Sequence, residues 1–170
     1  MTLLSRAAIA AAVVLGTTFT LGIIKAPTVE TEIEIEAPVD RVWHLLADTE
    51  HYAEWNPFIR SLEGELQVGA TLAVSIQLAG KSAMNFTPKV LVASPNQELR
   101  WVGKLGLRGV FDGEHHFRLE ETEGGGTRFI HGEQFSGVLA YILFPLIGSD
   151  TKAGFDAMNQ ALKSEAEALS

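Results

Sequence analysis

The two segments flanking Gly124-Gly125-Gly126 alternate so strictly that they constrain the fold more than any other part of the chain. In the first, Asp112, Glu114, His116, Arg118 and Glu120 share one parity, and Phe111, Gly113, His115, Phe117 and Leu119 share the other. A helix would scatter these residues around its axis. A strand sorts them onto opposite faces, because successive side chains point to opposite sides. The charged set is therefore predicted to face solvent and the second set the interior. The returning segment places Thr127, Phe129, His131, Glu133 and Phe135 on one face. The three glycines between them are turn chemistry, so the two segments form a hairpin. Pairing Leu119 with Phe129 sets Phe117 opposite His131 and His115 opposite Glu133. A two-residue slip would keep the facing and change the partners.

The rest of the chain is read against that hairpin. From Val29 to Glu36 every even position is Glu and the odd ones are apolar or Thr, a strand with one wet and one buried face. Ala37-Pro38 ends it, and Val39, Val42, Trp43 and Leu46 follow at helical spacing. Asp48-Thr49 can cap a second short helix that runs to about Glu54 and breaks at Trp55-Asn56-Pro57-Phe58. Further strands are predicted around Leu72 to Leu78, Phe86 to Val92 and Leu99 to Trp101, with Pro88 marking an edge or bulge. Gly103 to Gly109 reads as a surface loop. The tail from about Leu139 to Leu169 is helical, with an interruption expected near Pro145 and Gly148. Phe155, Met158, Leu162 and Leu169 lie on one face of its second half. A strand, two short helices, about six strands and a long helix make an α+β domain: an antiparallel sheet whose apolar face the terminal helix must cover.

Ala37-Pro38-Val39-Asp40-Arg41-Val42-Trp43, then Leu46, Asp48, Tyr52 and Trp55-Asn56-Pro57-Phe58, resembles the opening of the START-like (SRPBCC) superfamily, and in particular its polyketide cyclase/dehydrase group. Phe117-Arg118-Leu119-Glu120, Gly126-Thr127-Arg128-Phe129, Glu133 and Phe135-Ser136-Gly137 are similar to that group's last hairpin. The resemblance runs from Val29 to the C-terminus. It implies a helix-grip fold, a sheet curled around the C-terminal helix with a cavity for hydrophobic molecules. It implies no reaction, since members include binders, carriers and enzymes.

The first 27 residues are of a different kind. No charge falls between Arg6 and Lys25, and the run from Ala7 to Ile24 is nearly all apolar or small. At about 1.5 Å per residue such a run just spans a hydrocarbon core. A cleaved signal peptide is the competing reading, but Ile24-Lys25-Ala26-Pro27 makes a poor cleavage site. The expected organisation is thus a membrane anchor over residues 1–27 and a ligand-binding domain over residues 28–170. Arg6 and Lys25 nearly balance under the positive-inside rule; the domain is placed, on slight grounds, on the extracytoplasmic side. A net charge of -8 disfavours nucleic acid as a partner. The absence of cysteine removes disulfides, thiolate metal sites and cysteine nucleophiles.

Chemistry in the domain concentrates on the hairpin's inner face. His115, His131 and Glu133 are expected to cluster inside an otherwise apolar interior, where ionisable groups must pair or hydrogen-bond. Three readings stay open there: groups that only satisfy one another, a polar anchor for a ligand's carbonyl or hydroxyl, or an acid–base pair. No metal site is assigned to them, because alternation on a hairpin is weak ligand spacing. Nor is a cofactor expected, as no phosphate-cradling or dinucleotide-binding glycine motif is present. Trp55, Phe58, Trp101, Phe117, Phe129, Phe135, Phe155 and Met158 are the candidate apolar lining of a ligand cavity. Gly137 to Gly148, which contains Val138 to Phe144, is read as a wall of that cavity, or else a patch resting on a membrane. The function expected is a membrane-tethered module binding or carrying a hydrophobic small molecule or lipid. The alternative is a cyclase- or dehydrase-type enzyme using the His/Glu cluster for proton transfer.

Overall fold

The computed structural model describes residues 26–168. The proposed anchor, but for its last two residues, therefore lies outside the described residues, as does Leu169. The order is β1 (Thr28–Ile35), α1 (Val39–Ala47), a 3-10 turn (Thr49–His51), α2 (Tyr52–Trp55), β2 (Ile59–Glu63), β3 (Ala73–Ile76), β4 (Met84–Phe86), β5 (Lys89–Ser94), β6 (Glu98–Lys104), β7 (Asp112–Glu121), β8 (Thr127–Ser136) and α3 (Ala140–Ala168). The α+β helix-grip arrangement expected from the sequence is the one that forms, a curved antiparallel sheet around the long C-terminal helix.

Alternation sets the main sheet, ordered β1-β8-β7-β6-β5. In β1, Val29, Thr31 and Ile35 are buried while Glu30, Glu32 and Glu34 are exposed. β7 and β8 pair in the register inferred above: Leu119 with Phe129, Phe117 with His131, His115 with Glu133. Their turn is closed by the Gly125 N–H donating to Thr122 O and the Thr122 N–H donating to Gly126 O, both at 2.9 Å. On the outer face Arg100 bridges Glu98 and Glu114, Arg118 meets Glu30, and Arg128 meets Glu32. One member of the expected solvent-facing set is misplaced: Asp112 is buried, because the loop before β7 folds back and the Gly109 N–H donates to its Oδ2 at 2.9 Å.

Three other elements differ from expectation. A separate sheet, β2-β3-β4, accompanies the main one, and its strand β2 was not predicted. The stretch Phe86 to Val92 is two strands, split at Pro88, where the sheets are stitched together. There the Leu72 N–H donates to Pro88 O and the Val90 N–H to Ala70 O, each at 2.9 Å. A residue with no N–H of its own suits that junction, as its carbonyl alone is used. Finally, α3 runs unbroken through Pro145 and Gly148. Pro145 sits in the exposed second turn, where it removes one helical hydrogen bond, and packing further along the helix carries it through.

The core lies between the main sheet and the second half of α3. Phe117, Phe129, Phe155, Met158 and Leu162 are fully buried there. Nearer the start of α3 the two sheets and the helix diverge, leaving a space between them.

Candidate functional site

That space is a cavity of about 270 Å³. Val74, Ile76 and Phe86 of the smaller sheet, Trp101 and Phe135 of the larger one, and Leu143 and Ile147 of α3 give it apolar walls. Two of its polar exceptions lie side by side on the last hairpin, His115 on β7 and Glu133 on β8, and a third, the buried Thr151, comes from α3. Lys104 stands at the rim. Leu105 and Leu146, which line the cavity, are exposed, as are Leu107, Val138 and Ile142 elsewhere in the same two segments, between 56% and 76% accessible. The Val138–Phe144 stretch thus divides: Leu143 faces the cavity while Val138 and Ile142 face outward.

Phe58 reaches this cavity because of a local device. The Asn56 Oδ1 accepts hydrogen bonds from the backbone N–H groups of Phe58 at 2.9 Å and Ile59 at 2.8 Å. This folds the chain after α2 so that the Phe58 ring turns inward and meets Phe155 edge-on, centroids 5.4 Å apart. The polar group that looked like a helix breaker is thus a buried clamp.

His115 belongs to a chain of hydrogen bonds that runs away from the cavity into the core. Its Nε2 is 3.1 Å from the Nε2 of His131. The His131 Nδ1 is 2.9 Å from the Asn159 Oδ1 on α3. The Asn159 Nδ2 donates to the Thr31 Oγ1 at 2.9 Å, and the Thr31 hydroxyl donates to the His131 carbonyl at 3.3 Å. An amide oxygen only accepts, so the His131 Nδ1 must carry the proton. A neutral His131 then offers a lone pair at Nε2, and the His115 Nε2–H must donate to it. This leaves the His115 Nδ1 as an acceptor, 3.8 Å from the Glu133 Oε2.

Burial keeps both imidazoles neutral. Desolvation, reinforced by the neighbouring His116, lowers the His115 pKa to about 3, and desolvation together with His115 holds His131 well below the ordinary histidine value. Aromatic rings supply the surroundings. Trp101 stacks on His115 at 4.6 Å and 9°, Phe155 stacks on His131 at 3.7 Å and 18°, and Phe117 stands edge-on to both. Desolvation acts oppositely on Glu133, raising its carboxyl to about 7. Its side chain is 21% accessible, by way of the cavity it lines, so filling the cavity with an apolar molecule would push it higher still. The carboxyl lies over Gly113: a Cβ there would stand 2.1 Å from the Glu133 Oε1.

Of the residues singled out in the sequence, His115, Glu133, Phe58, Trp101 and Phe135 line the cavity. His131 lies one layer behind His115, and Phe117, Phe129, Phe155 and Met158 are packed in the core beneath. Trp55 is half-buried against Tyr52, with centroids 5.3 Å apart, and forms no part of the cavity wall. Sequence reasoning missed Asn159 and Thr31. The one available signal was a polar residue four positions after Phe155 on the apolar face of α3. Among the described residues, no group of His, Asp and Glu is spaced to hold a metal ion.

A sheet gripping a helix around an apolar cavity with a short polar floor defines a START-like ligand-binding domain. The chain belongs to the polyketide cyclase / dehydrase and lipid transport family, whose sequence profile matches residues 26–167. It is similar in fold to the Zhui aromatase/cyclase of Streptomyces sp. R1128, at 19% identity and TM-score 0.66, covering 82% of this chain and 93% of that one. A START superfamily protein of Mycobacterium smegmatis superposes with TM-score 0.67 at 18% identity, over 84% of this chain and 99% of the other. A protein of Thermus thermophilus does so with TM-score 0.65 at 20% identity, over 85% and 99%. These likenesses establish the fold. Among curated proteins, none matches the chain in sequence.

Proposed function

We propose that the domain binds and carries a hydrophobic small molecule or lipid in the cavity between its two sheets and α3. The observation that carries this reading is the cavity itself, about 270 Å³ with mostly apolar walls and few polar groups. Such a site holds an apolar body and fixes its orientation through few contacts. Native mass spectrometry of gently purified protein, before and after organic extraction, should reveal a co-purifying small molecule. Ile147→Trp should fill the space and abolish uptake while leaving the fold intact. Uptake unchanged in that variant would place the ligand elsewhere.

The charge-free run between Arg6 and Lys25 supports a tether that keeps the domain at a membrane. Among the described residues no helix is long and apolar enough to cross a membrane, so such a tether rests on the N-terminal segment. Fractionation of full-length chain against one lacking residues 1–27 tests it. Retention of the shortened chain in the membrane fraction would rule out that segment as the sole anchor.

One observation favours an enzymatic reading: a Glu133 carboxyl near 7 is suited to give and take a proton. The imidazoles are not, since they stay neutral at physiological pH and their chain ends at a backbone carbonyl. An enzyme built on this cavity would therefore depend on Glu133, and Glu133→Gln should abolish turnover of a polyketide-like substrate.

A further inference from the structure

The polar floor of the cavity has a direction, and the direction selects among ligands. The hydrogen-bond chain leaves the His115 Nδ1 as a lone pair, and the Glu133 Oε2 stands 3.8 Å away from it. That separation is too long for a direct hydrogen bond. It is short enough for one oxygen to lie at about 2.8 Å from both atoms. In its protonated form, which burial favours, Glu133 is a donor. The gap therefore presents one acceptor and one donor to whatever occupies it.

We infer that the cavity is built for a neutral amphiphile ending in a hydroxyl group, which donates to the His115 Nδ1 and accepts from the Glu133 carboxyl. This rests on the cavity reading above and narrows it to a ligand class. A ketone or ester oxygen can accept from Glu133 but leaves the His115 lone pair unpaired, which is costly in a buried site. A carboxylate meets no compensating cation on the floor, only neutral imidazoles and a carboxyl. An ammonium could donate to His115, but its charge would be buried among apolar walls unless it ionised Glu133. Of these head groups, only an alcohol supplies a donor and an acceptor on one atom without charge. The cavity volume corresponds to roughly nine water-sized units, so an aliphatic body of about ten carbons suits it.

The test compares four probes of one chain length on full-length protein near pH 6, namely 1-decanol, 2-decanone, decanoate and decylamine. The expected result is that decanol binds about tenfold more tightly than 2-decanone, the worth of one hydrogen bond at a buried site. It should also bind more tightly than either charged probe. In His115→Phe the decanol-to-decanone ratio should fall to about one while decanone affinity changes little. A second measurement needs no variant: side-chain nitrogen NMR should show the His115 Nδ1 unprotonated, its signal moving on addition of decanol and not of decanone. Equal binding of decanol and decanone, tighter binding of a charged probe, or a protonated Nδ1 would overturn the hydroxyl assignment and leave the cavity reading standing. Failure of all four probes to bind would overturn the cavity reading itself.

Discussion

The Nε2 atoms of His115 and His131 face each other at 3.1 Å, so one ring must donate and the other accept. Which does which is settled on a different element, by the Asn159 Oδ1 on α3. The terminal helix thus covers the sheet and also sets the proton positions on a hairpin whose His131 lies 28 residues before Asn159.

Removing that control should be measurable. Asn159→Leu keeps a side chain of similar size but leaves the His131 Nδ1–H without its acceptor in a buried region, while the Thr31 hydroxyl keeps only the His131 carbonyl. An unsatisfied buried donor costs about 2 kcal/mol. Chemical denaturation should show a loss of that order. Side-chain nitrogen spectra should show His131 no longer held to one tautomer; an unchanged spectrum would mean that packing, not Asn159, fixes the rings.

Much of this hairpin was legible in the sequence, and for a physical reason. Parity decides which face a strand residue takes, and a glycine turn decides the register, so the His115–Glu133 and Phe117–His131 pairs could be inferred without the third dimension. The smaller sheet was harder. In Ile59-Arg60-Ser61-Leu62-Glu63 the buried residues are Ile59 and Leu62, three apart, which carries no signature of period two. Asn159 and Thr31 meet across 128 residues, through a helix-to-strand contact that no local pattern encodes. Whether an apolar interior is packed or hollow depends on how elements diverge, so the same residue types served as cavity wall in Phe58, Trp101 and Phe135 and as core in Phe117, Phe129 and Phe155.

Stability should respond to pH in a way that separates the two kinds of buried group. Glu133 titrates near 7 in the folded state and at 4.5 ordinarily. Between these values the folded protein holds a proton that the unfolded chain has released, so stability falls as pH rises through the window and the loss is complete above 7. His115 works in the other direction. Its folded value near 3 lies below the ordinary 6.5, so stability falls as pH drops from 6.5 toward 3. Glu133→Gln abolishes only the first loss. Its stability relative to wild type should rise between pH 4.5 and 7, by at most about 3 kcal/mol, and then stay level. Thermal melts across that range check it; a difference independent of pH would show that Glu133 is not shifted.

The position of the Glu133 carboxyl depends on a missing side chain. Gly113 lies within β7, paired with Phe135, and a Cβ added to it would stand 2.1 Å from the Glu133 Oε1 and 3.1 Å from its Cδ. The three atoms nearest to such a methyl group all belong to the Glu133 side chain. Its φ is one that alanine adopts readily, so Gly113→Ala should disturb the site through the carboxyl and not through the backbone. In wild type the carboxyl must swing aside, and affinity for a hydroxyl-bearing probe should drop about tenfold with little change in fold. In a Glu133→Ala background the obstacle is gone. There the same substitution should stabilise the protein by about 0.5 to 1 kcal/mol, the usual gain when glycine in a strand is replaced by alanine. A double-mutant cycle of stability over Gly113→Ala and Glu133→Ala reads the difference directly. If Gly113→Ala costs the same in both backgrounds, the carboxyl does not rest on the glycine, and the floor of the cavity is arranged otherwise than its geometry indicates.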